Sequence, residues 1–128
     1  MDISVVIVNY NSWKVLEDCI KSIDSLHTSL QVELLIVDNE SPNDLFTTFQ
    51  QKYPFIHWIK NTGNNGFANG CNLGAQHATS DYLFFLNPDT RLKDGVLEHF
   101  LDIYSKENIG ILSCKQTNTN NSLHKYNL

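Results

Sequence analysis

Apolar positions along the chain follow two rhythms, one continuous and one spaced by three or four. Ile3 to Val8 is a nearly unbroken β-branched run, as expected of a strand covered on both faces; a strand wet on one side would alternate. Ser12 comes next in a position to cap a helix, and Trp13, Leu16, Ile20 and Ile23 then recur at helical spacing, broadened by Val15, Cys19 and Leu26, to about His27. Val32 to Val37 predicts a second buried strand. Ser41-Pro42-Asn43-Asp44 combines a cap residue, a proline in the first helical position and an acid three after the cap. It predicts a short helix through Leu45, Phe46 and Phe49 that ends at Pro54.

Phe55 to Ile59 is a weaker third strand. After a polar, glycine-rich loop, Phe67 to Ala78 predicts a helix with an inner face of Phe67, Cys71, Ala75 and Ala78 beside Gly70 and Gly74. Such small residues suit a helix lying close to a sheet, although each glycine costs about 1 kcal/mol of helix propensity. Tyr82 to Leu86 is a wholly apolar fourth strand, read as buried on both faces, and it breaks at Asn87-Pro88-Asp89-Thr90 because proline cannot continue an inner ladder. A helix from about Asp94 to Lys106 and a short fifth strand, Gly110 to Cys114, complete the series; the polar tail after Lys115 has the look of a domain cut short. Alternation of strand and helix predicts an α/β fold, a three-layer sandwich with a mostly parallel central sheet and helices on both faces.

With 128 residues, 41% of them hydrophobic, the chain suits one modest domain with a real core. A formal net charge of −5 without a basic stripe argues against a nucleic-acid partner. It does not argue against a nucleotide, whose phosphates a loop and a metal ion can neutralise locally. Cys19, Cys71 and Cys114 are odd in number and far apart, and read as small core hydrophobes. Met1-Asp2-Ile3-Ser4 has no basic leader, and the first apolar run is too short to span a membrane. Two glycosylation sequons, at Asn39 and Asn120, carry no weight without an export signal.

In an open parallel sheet the ligand crevice lies beyond the carboxyl ends of the strands. Each strand here runs out into a polar segment: Asn9-Tyr10-Asn11-Ser12, Asp38-Asn39-Glu40-Ser41, Asn61-Thr62-Gly63-Asn64-Asn65-Gly66 and Asn87-Pro88-Asp89. Asp38 can accept hydrogen bonds from a base or sugar, and Tyr10 can stack on a base while its hydroxyl stays wet. Asn9 and Asn11 either contact the ligand or shape the turn. Gly63 and Gly66 permit close backbone approach, letting Asn65 present its amide to a nucleotide. Asp89 can hold Mg²⁺ or Mn²⁺ with diphosphate oxygens completing an oxygen shell, and Asn87 can bond a ribose hydroxyl or a metal-bound water. A dinucleotide fingerprint and a P-loop are both missing, and His27, His57, His77, His99 and His124 are scattered without ligand spacing.

Together, Val5-Val6-Ile7-Val8-Asn9-Tyr10-Asn11, Leu35-Ile36-Val37-Asp38-Asn39, Asn61-Thr62-Gly63-Asn64-Asn65-Gly66-Phe67-Ala68 and Tyr82-Leu83-Phe84-Phe85-Leu86-Asn87-Pro88-Asp89-Thr90 resemble the N-terminal half of family 2 glycosyltransferases of the GT-A fold, with the bacterial rhamnosyltransferase-like branch the nearest likeness. The resemblance runs from Ile3 to about His124. It implies binding of a nucleotide-diphospho-sugar and inverting transfer of the sugar to a hydroxyl of a saccharide or lipid-linked saccharide. Asn9, Tyr10 and Asn11 would lie in the nucleoside-contacting loop and Asp38 would read the base. Asn65 would embrace ribose and phosphate, while Asn87 and Asp89 would match the outer positions of the metal motif.

The sequence departs from the family pattern in three ways. Asn87 replaces an acid, Glu40 stands where the branch usually has glycine, and the family's catalytic base has no counterpart before Leu128. The expectation is therefore a donor-binding module with little or no activity alone, from a cytoplasmic protein that can sit at the inner membrane. A nucleotidyltransferase would want a basic, glycine-rich first loop, which Asn9-Tyr10-Asn11-Ser12 is not. A noncatalytic interaction domain would leave Asp38 and Asp89 pointing apart.

Overall fold

The computed structural model of the protein describes residues 1–43, 45–118 and 120. Four strands, β1 (Ile3–Asn9), β2 (Val32–Asp38), β3 (His57–Lys60) and β4 (Leu83–Leu86), form one sheet in the order β3-β2-β1-β4. Every neighbouring pair is parallel. The helices are α1 (Trp13–Asp24), α2 (Phe46–Lys52), α3 (Phe67–His77) and α4 (Val96–Lys106). By their contacts, Met1–Leu97 form one unit and Glu98–Leu128 another. The first holds the whole sheet, and an ion pair between Asp102 and Lys106 at 2.7 Å lies in the second. No helix among the described residues is long and apolar enough to cross a membrane.

The continuous apolar runs of β1 and β2 do what their composition dictates. β1 is buried at all seven positions, and the two faces of the sheet build two cores. On one face Val6, Leu35, Val37 and Ile59 pack against Leu73 of α3 and Ala78. On the other, Trp58 meets Phe49 of α2 edge-on at 6.2 Å, and Phe49 meets Trp13 of α1 at 4.9 Å. Helices thus cover both sides, α3 on one and α1 with α2 on the other, which confirms the three-layer α/β architecture.

α3 lies close because it is built from small residues. A Cβ on Gly74 would come within 2.4 Å of Val6 Cγ1, and one on Gly70 within 2.7 Å of Val8 Cγ1. Gly70 and Gly74 are the buried residues of this helix. Phe67 was expected on the inner face but is exposed, because the glycines carry the contact and turn the first residue of the helix outward. Cys71 is only half-buried and Cys114 is exposed, so of the three cysteines Cys19 alone is a core residue.

Three further expectations change. β4 is not covered on both faces: Phe84 and Leu86 are buried, whereas Leu83 and Phe85 are exposed. α3 packs on β1 and β2 and leaves that side of β4 open. Gly110 to Cys114 forms no strand. Ile111 is 91% exposed, and an extended run without a neighbouring ladder does not hold. The helix predicted to start at Pro42 begins four residues later, at Phe46, because Ser41 is engaged elsewhere. Asp44, the acid of that expected cap, lies outside the described residues, as do Asn121 and Ser122 of the second sequon and His124.

Glu17 of α1 ties the first helix to the end of the second. Its carboxylate accepts from the Lys52 ammonium and, at 2.8 Å, from the Tyr53 hydroxyl, with Lys21 at 3.4 Å. Lys52 and then Tyr53 hold its pKa down at about 2, below the ordinary value of about 4.3. A folded-state pKa that is depressed stabilises the protein above the unfolded value, and the benefit fades as pH falls through about 2. Glu17→Gln is expected to lower the urea midpoint at pH 7, with the gap to wild type closing between about pH 5 and pH 2. Gly74→Ala tests the close approach of α3. On an exposed helix the change would stabilise, but here overpacking against Val6 is expected to cost about 1–3 kcal/mol in urea unfolding.

Candidate functional site

Parallel pairing delivers every strand's carboxyl end to one edge of the sheet. Asn9 pairs in register with Asp38, Asp38 with Lys60, and Ile7 with Leu86. The polar segments after all four strands therefore emerge together, with β1 lying between β2 and β4. The chain runs outward from β1 through β2 to β3 and then returns to β4 on the other side of β1. The segment after β4 then runs against α1, the helix that follows β1: Arg91 donates to Asp18 at 2.9 Å and the Leu92 amide to the Ser22 hydroxyl at 3.1 Å. The reversal of strand order between β1 and β4 marks the kind of position at which open α/β sheets form their crevice.

The edge has a buried tier. Asn9, Asp38, Asn39 and Asn61 are all within 8% of complete burial, and polar groups so placed must find partners. Asp38 Oδ1 accepts from Asn9 Nδ2 at 2.8 Å and from the Ser41 hydroxyl at 2.6 Å, while Oδ2 accepts from the Ser41 amide at 3.1 Å. Ser41 Oγ in turn accepts from the Asn11 amide at 2.8 Å, and Asn9 Oδ1 accepts from the Ser12 amide at 3.2 Å. The first two loops are thereby stitched into one piece. The expected group of Asn9, Asn11 and Asp38 is brought together, and Asp38 Oδ2 has one donor among the described residues, leaving it a lone pair.

Above it lies an exposed tier. Tyr10, Asn11, Asn65, Asn87 and Asp89 are all exposed. Asn11 has φ 52°, a left-handed conformation that asparagine tolerates well. The Asn87–Thr90 turn is closed by the Asn87 carbonyl, which accepts from the Thr90 hydroxyl at 2.6 Å and the Thr90 amide at 3.2 Å. The Cys19 thiol reaches the same carbonyl at 3.9 Å from α1 below. Burial pushes that thiol up to about 11, with the nearby Asp89 charge adding to the rise, so it stays protonated beneath the turn. Arg91 is drawn away to Asp18 at 2.9 Å, and the Asp89 carboxylate has no hydrogen-bond or ion-pair partner among the described residues.

No group of three or more His, Cys, Asp or Glu among the described residues can hold a metal by itself. A single free, hard carboxylate fits a divalent cation that takes its remaining oxygens from a ligand and water, not one caged by protein. A separate concavity of about 400 Å³ opens at the amino-terminal edge of the sheet, lined by Met1, Val32, Glu33 and His57 among others. Glu33 there is already engaged by the Ser4 hydroxyl and the Thr79 amide, and the four strand-end loops lie at the other edge.

Ser41, Asn39 and Asn61 were missed as site residues. Ser41 read as a helix cap and instead links Asp38 to the Asn9–Ser12 loop. Asn39 and Asn61 read as turn formers, yet Asn61 Nδ2 donates to Asn39 Oδ1 at 2.8 Å and to Asn69 Oδ1 at 2.8 Å, and Asn39 Nδ2 donates to the Gly66 carbonyl at 3.1 Å. Asparagine placed directly after a continuous apolar strand is the available signal, since such a position is buried. Glu40 sits at φ 59°, in the left-handed region where a side chain is strained and glycine is at ease.

The Glycosyl transferase family 2 model matches residues 4–128. A low-salt glycan biosynthesis hexosyltransferase, Agl10, of Haloferax volcanii is 29% identical over 116 residues, covering 88% of this chain and 36% of that protein. The chain spans roughly a third of that relative's length. Among solved structures, S. aureus TarS 1-349 in complex with UDP-GlcNAc superposes with a TM-score of 0.72 at 17% identity, covering 91% of this chain and 38% of that one. The mannosyltransferase PcManGT from Pyrobaculum calidifontis, in complex with GDP-Man and Mn²⁺, gives 0.61 at 20% identity over 70% of this chain and 28% of that one. These likenesses bear out the GT-A architecture, and the family match extends over nearly the whole sequence: the chain belongs to glycosyl transferase family 2.

Proposed function

We propose that this chain is the donor-binding part of an inverting glycosyltransferase, which holds a nucleotide-diphospho-sugar at the β1/β4 crevice with Mg²⁺ or Mn²⁺ on Asp89. The observation that carries the reading is the exposed Asp89 carboxylate, without a hydrogen-bond or ion-pair partner among the described residues, on a closed turn after β4. An acidic chain of net charge −5 has little cationic surface for a diphosphate, and a cation on Asp89 supplies that charge and neutralises the leaving group when bound. The UDP-GlcNAc and GDP-Man complexes of the structural neighbours support this choice of ligand class. The Asn87-Pro88-Asp89 motif is what favours the rhamnosyltransferase-like branch.

The chain's own residues divide the work. Tyr10 offers an exposed ring on which a base stacks. Asp38 Oδ2 accepts from the base or sugar through its remaining lone pair, and Asn9 with Ser41 fixes the angle at which it does so. Asn65 and Asn87 present amides to ribose and phosphate oxygens, and Asn11 shapes the turn that carries Tyr10. The acceptor, a saccharide or lipid-linked saccharide hydroxyl, and the base that deprotonates it are assigned to residues outside these 128. The acceptor oxygen would attack the anomeric carbon from the face opposite the diphosphate.

Calorimetric titration with UDP, dTDP and GDP, in Mn²⁺ and in chelator, tests the proposal. One diphosphate is expected to bind at least about tenfold tighter with Mn²⁺, about 1.4 kcal/mol, and Asp89→Ala is expected to abolish that gain. Equal affinity with and without the metal, or a gain that survives Asp89→Ala, rejects the assignment.

A further inference from the structure

We infer that Asn39 and Asn61 are positioning residues that lock the Asn61–Gly66 loop and the first turn of α3 onto the ends of β2 and β3, and thereby set where Asn65 stands. The loop has little else to hold it. Gly63 and Gly66 are both at positive φ, 91° and 89°, and Thr62, Asn64, Asn65, Gly66 and Phe67 are exposed, so no apolar side chain anchors it. Its attachment runs through primary amides instead. Asn61 continues the ladder by donating its backbone amide to the Asp38 carbonyl at 2.9 Å, which fixes its side chain under the loop. Both hydrogens of its Nδ2 are then used, one on Asn39 and one on Asn69, while Asn39 Nδ2 holds the Gly66 carbonyl. Three elements are joined by three bonds.

The chemistry of the pair is specific. Asn61 must donate twice, which a carboxylate cannot do, and Asn39 must accept with one atom and donate with the other. Asn39 is 2% exposed and Asn61 8%, so the bond between them forms where water competes poorly and removing one partner strands the other, while the bonds to Asn69 and the Gly66 carbonyl are half-buried. The approach of α3 is matched to this: a Cβ on Gly70 would stand 3.2 Å from Asn39 Oδ1. The glycine keeps the helix at the distance these bonds need. The hold on the loop follows from the geometry alone, and its effect on ligand rests on the donor-binding reading.

Two measurements test it. In hydrogen exchange of the ligand-free protein, Asn61→Ala is expected to speed exchange at least tenfold across residues 62–70. The amides of β1 and β2 should change no more than in Ser4→Ala, which removes a buried hydroxyl at the opposite edge of the sheet. Asn69→Ala, at an exposed site that keeps the fold, is expected to show a smaller change at the same amides, and it decides the question if Asn61→Ala does not fold. In binding of UDP, dTDP or GDP with Mn²⁺, Asn61→Ala and Asn65→Ala are each expected to cost about tenfold, and the double variant no more than Asn65→Ala alone, because one acts through the other. Uniform exchange that matches Ser4→Ala, or losses that multiply to about a hundredfold, overturns the inference. If the wild type binds none of the three nucleotides, the donor-binding reading fails, and the exchange result alone decides the lock.

Discussion

The Asp38 carboxylate is the constraint around which the carboxyl edge of this sheet is arranged. A charged group 2% exposed is costly unless its oxygens are met by well-placed donors. Here the donors are Asn9 on the neighbouring strand and both the amide and hydroxyl of Ser41. Asn9 can reach only if β1 and β2 run parallel in the register that pairs it with Asp38. Ser41 can reach only if the chain turns sharply after Asn39, which Glu40 achieves with a left-handed backbone at φ 59°. A local strain is thus accepted at one residue because a buried charge two residues earlier demands it.

This arrangement separates support from display. Every buried side-chain nitrogen and oxygen among the described residues, the tier of Asn9, Asp38, Asn39 and Asn61 included, has at least one partner. Such a network is stiff, since each member is specified by the others. The exposed residues Tyr10, Asn65, Asn87 and Asp89 follow the same strand ends. Binding residues built this way lose less freedom when a ligand arrives.

The sequence announced the strands because β-branched runs such as Ile3–Val8 have few other uses, and it announced the edge because each run ends in polar residues. The features it concealed were nonlocal. Ser41 looked like a cap because a serine before proline is one by local rules, and only the proximity of β1 gives its hydroxyl a better partner. Asn39 and Asn61 looked like turn residues because asparagine commonly is one, while their pairing joins positions twenty-two apart. Leu83 and Phe85 looked buried because they are apolar, but which face of β4 is covered depends on where α3 lies. Phe67 failed for the same reason, since a helix that packs through glycines hides its contact face from a hydrophobicity pattern.

The order of the strands carries a consequence for how the molecule is made. β1 is synthesised first and occupies the interior of the sheet, yet its partner on one side, β4, arrives 79 residues later, as the pairing of Ser4 with Leu83 requires. Parallel ladders between distant segments close slowly. Until β4 emerges, the apolar edge of β1 waits uncovered during chain growth, exposed to wrong partners. Asn87 and Asp89 follow β4, so they reach the edge that carries Asn9 and Asp38 only when β4 pairs with β1.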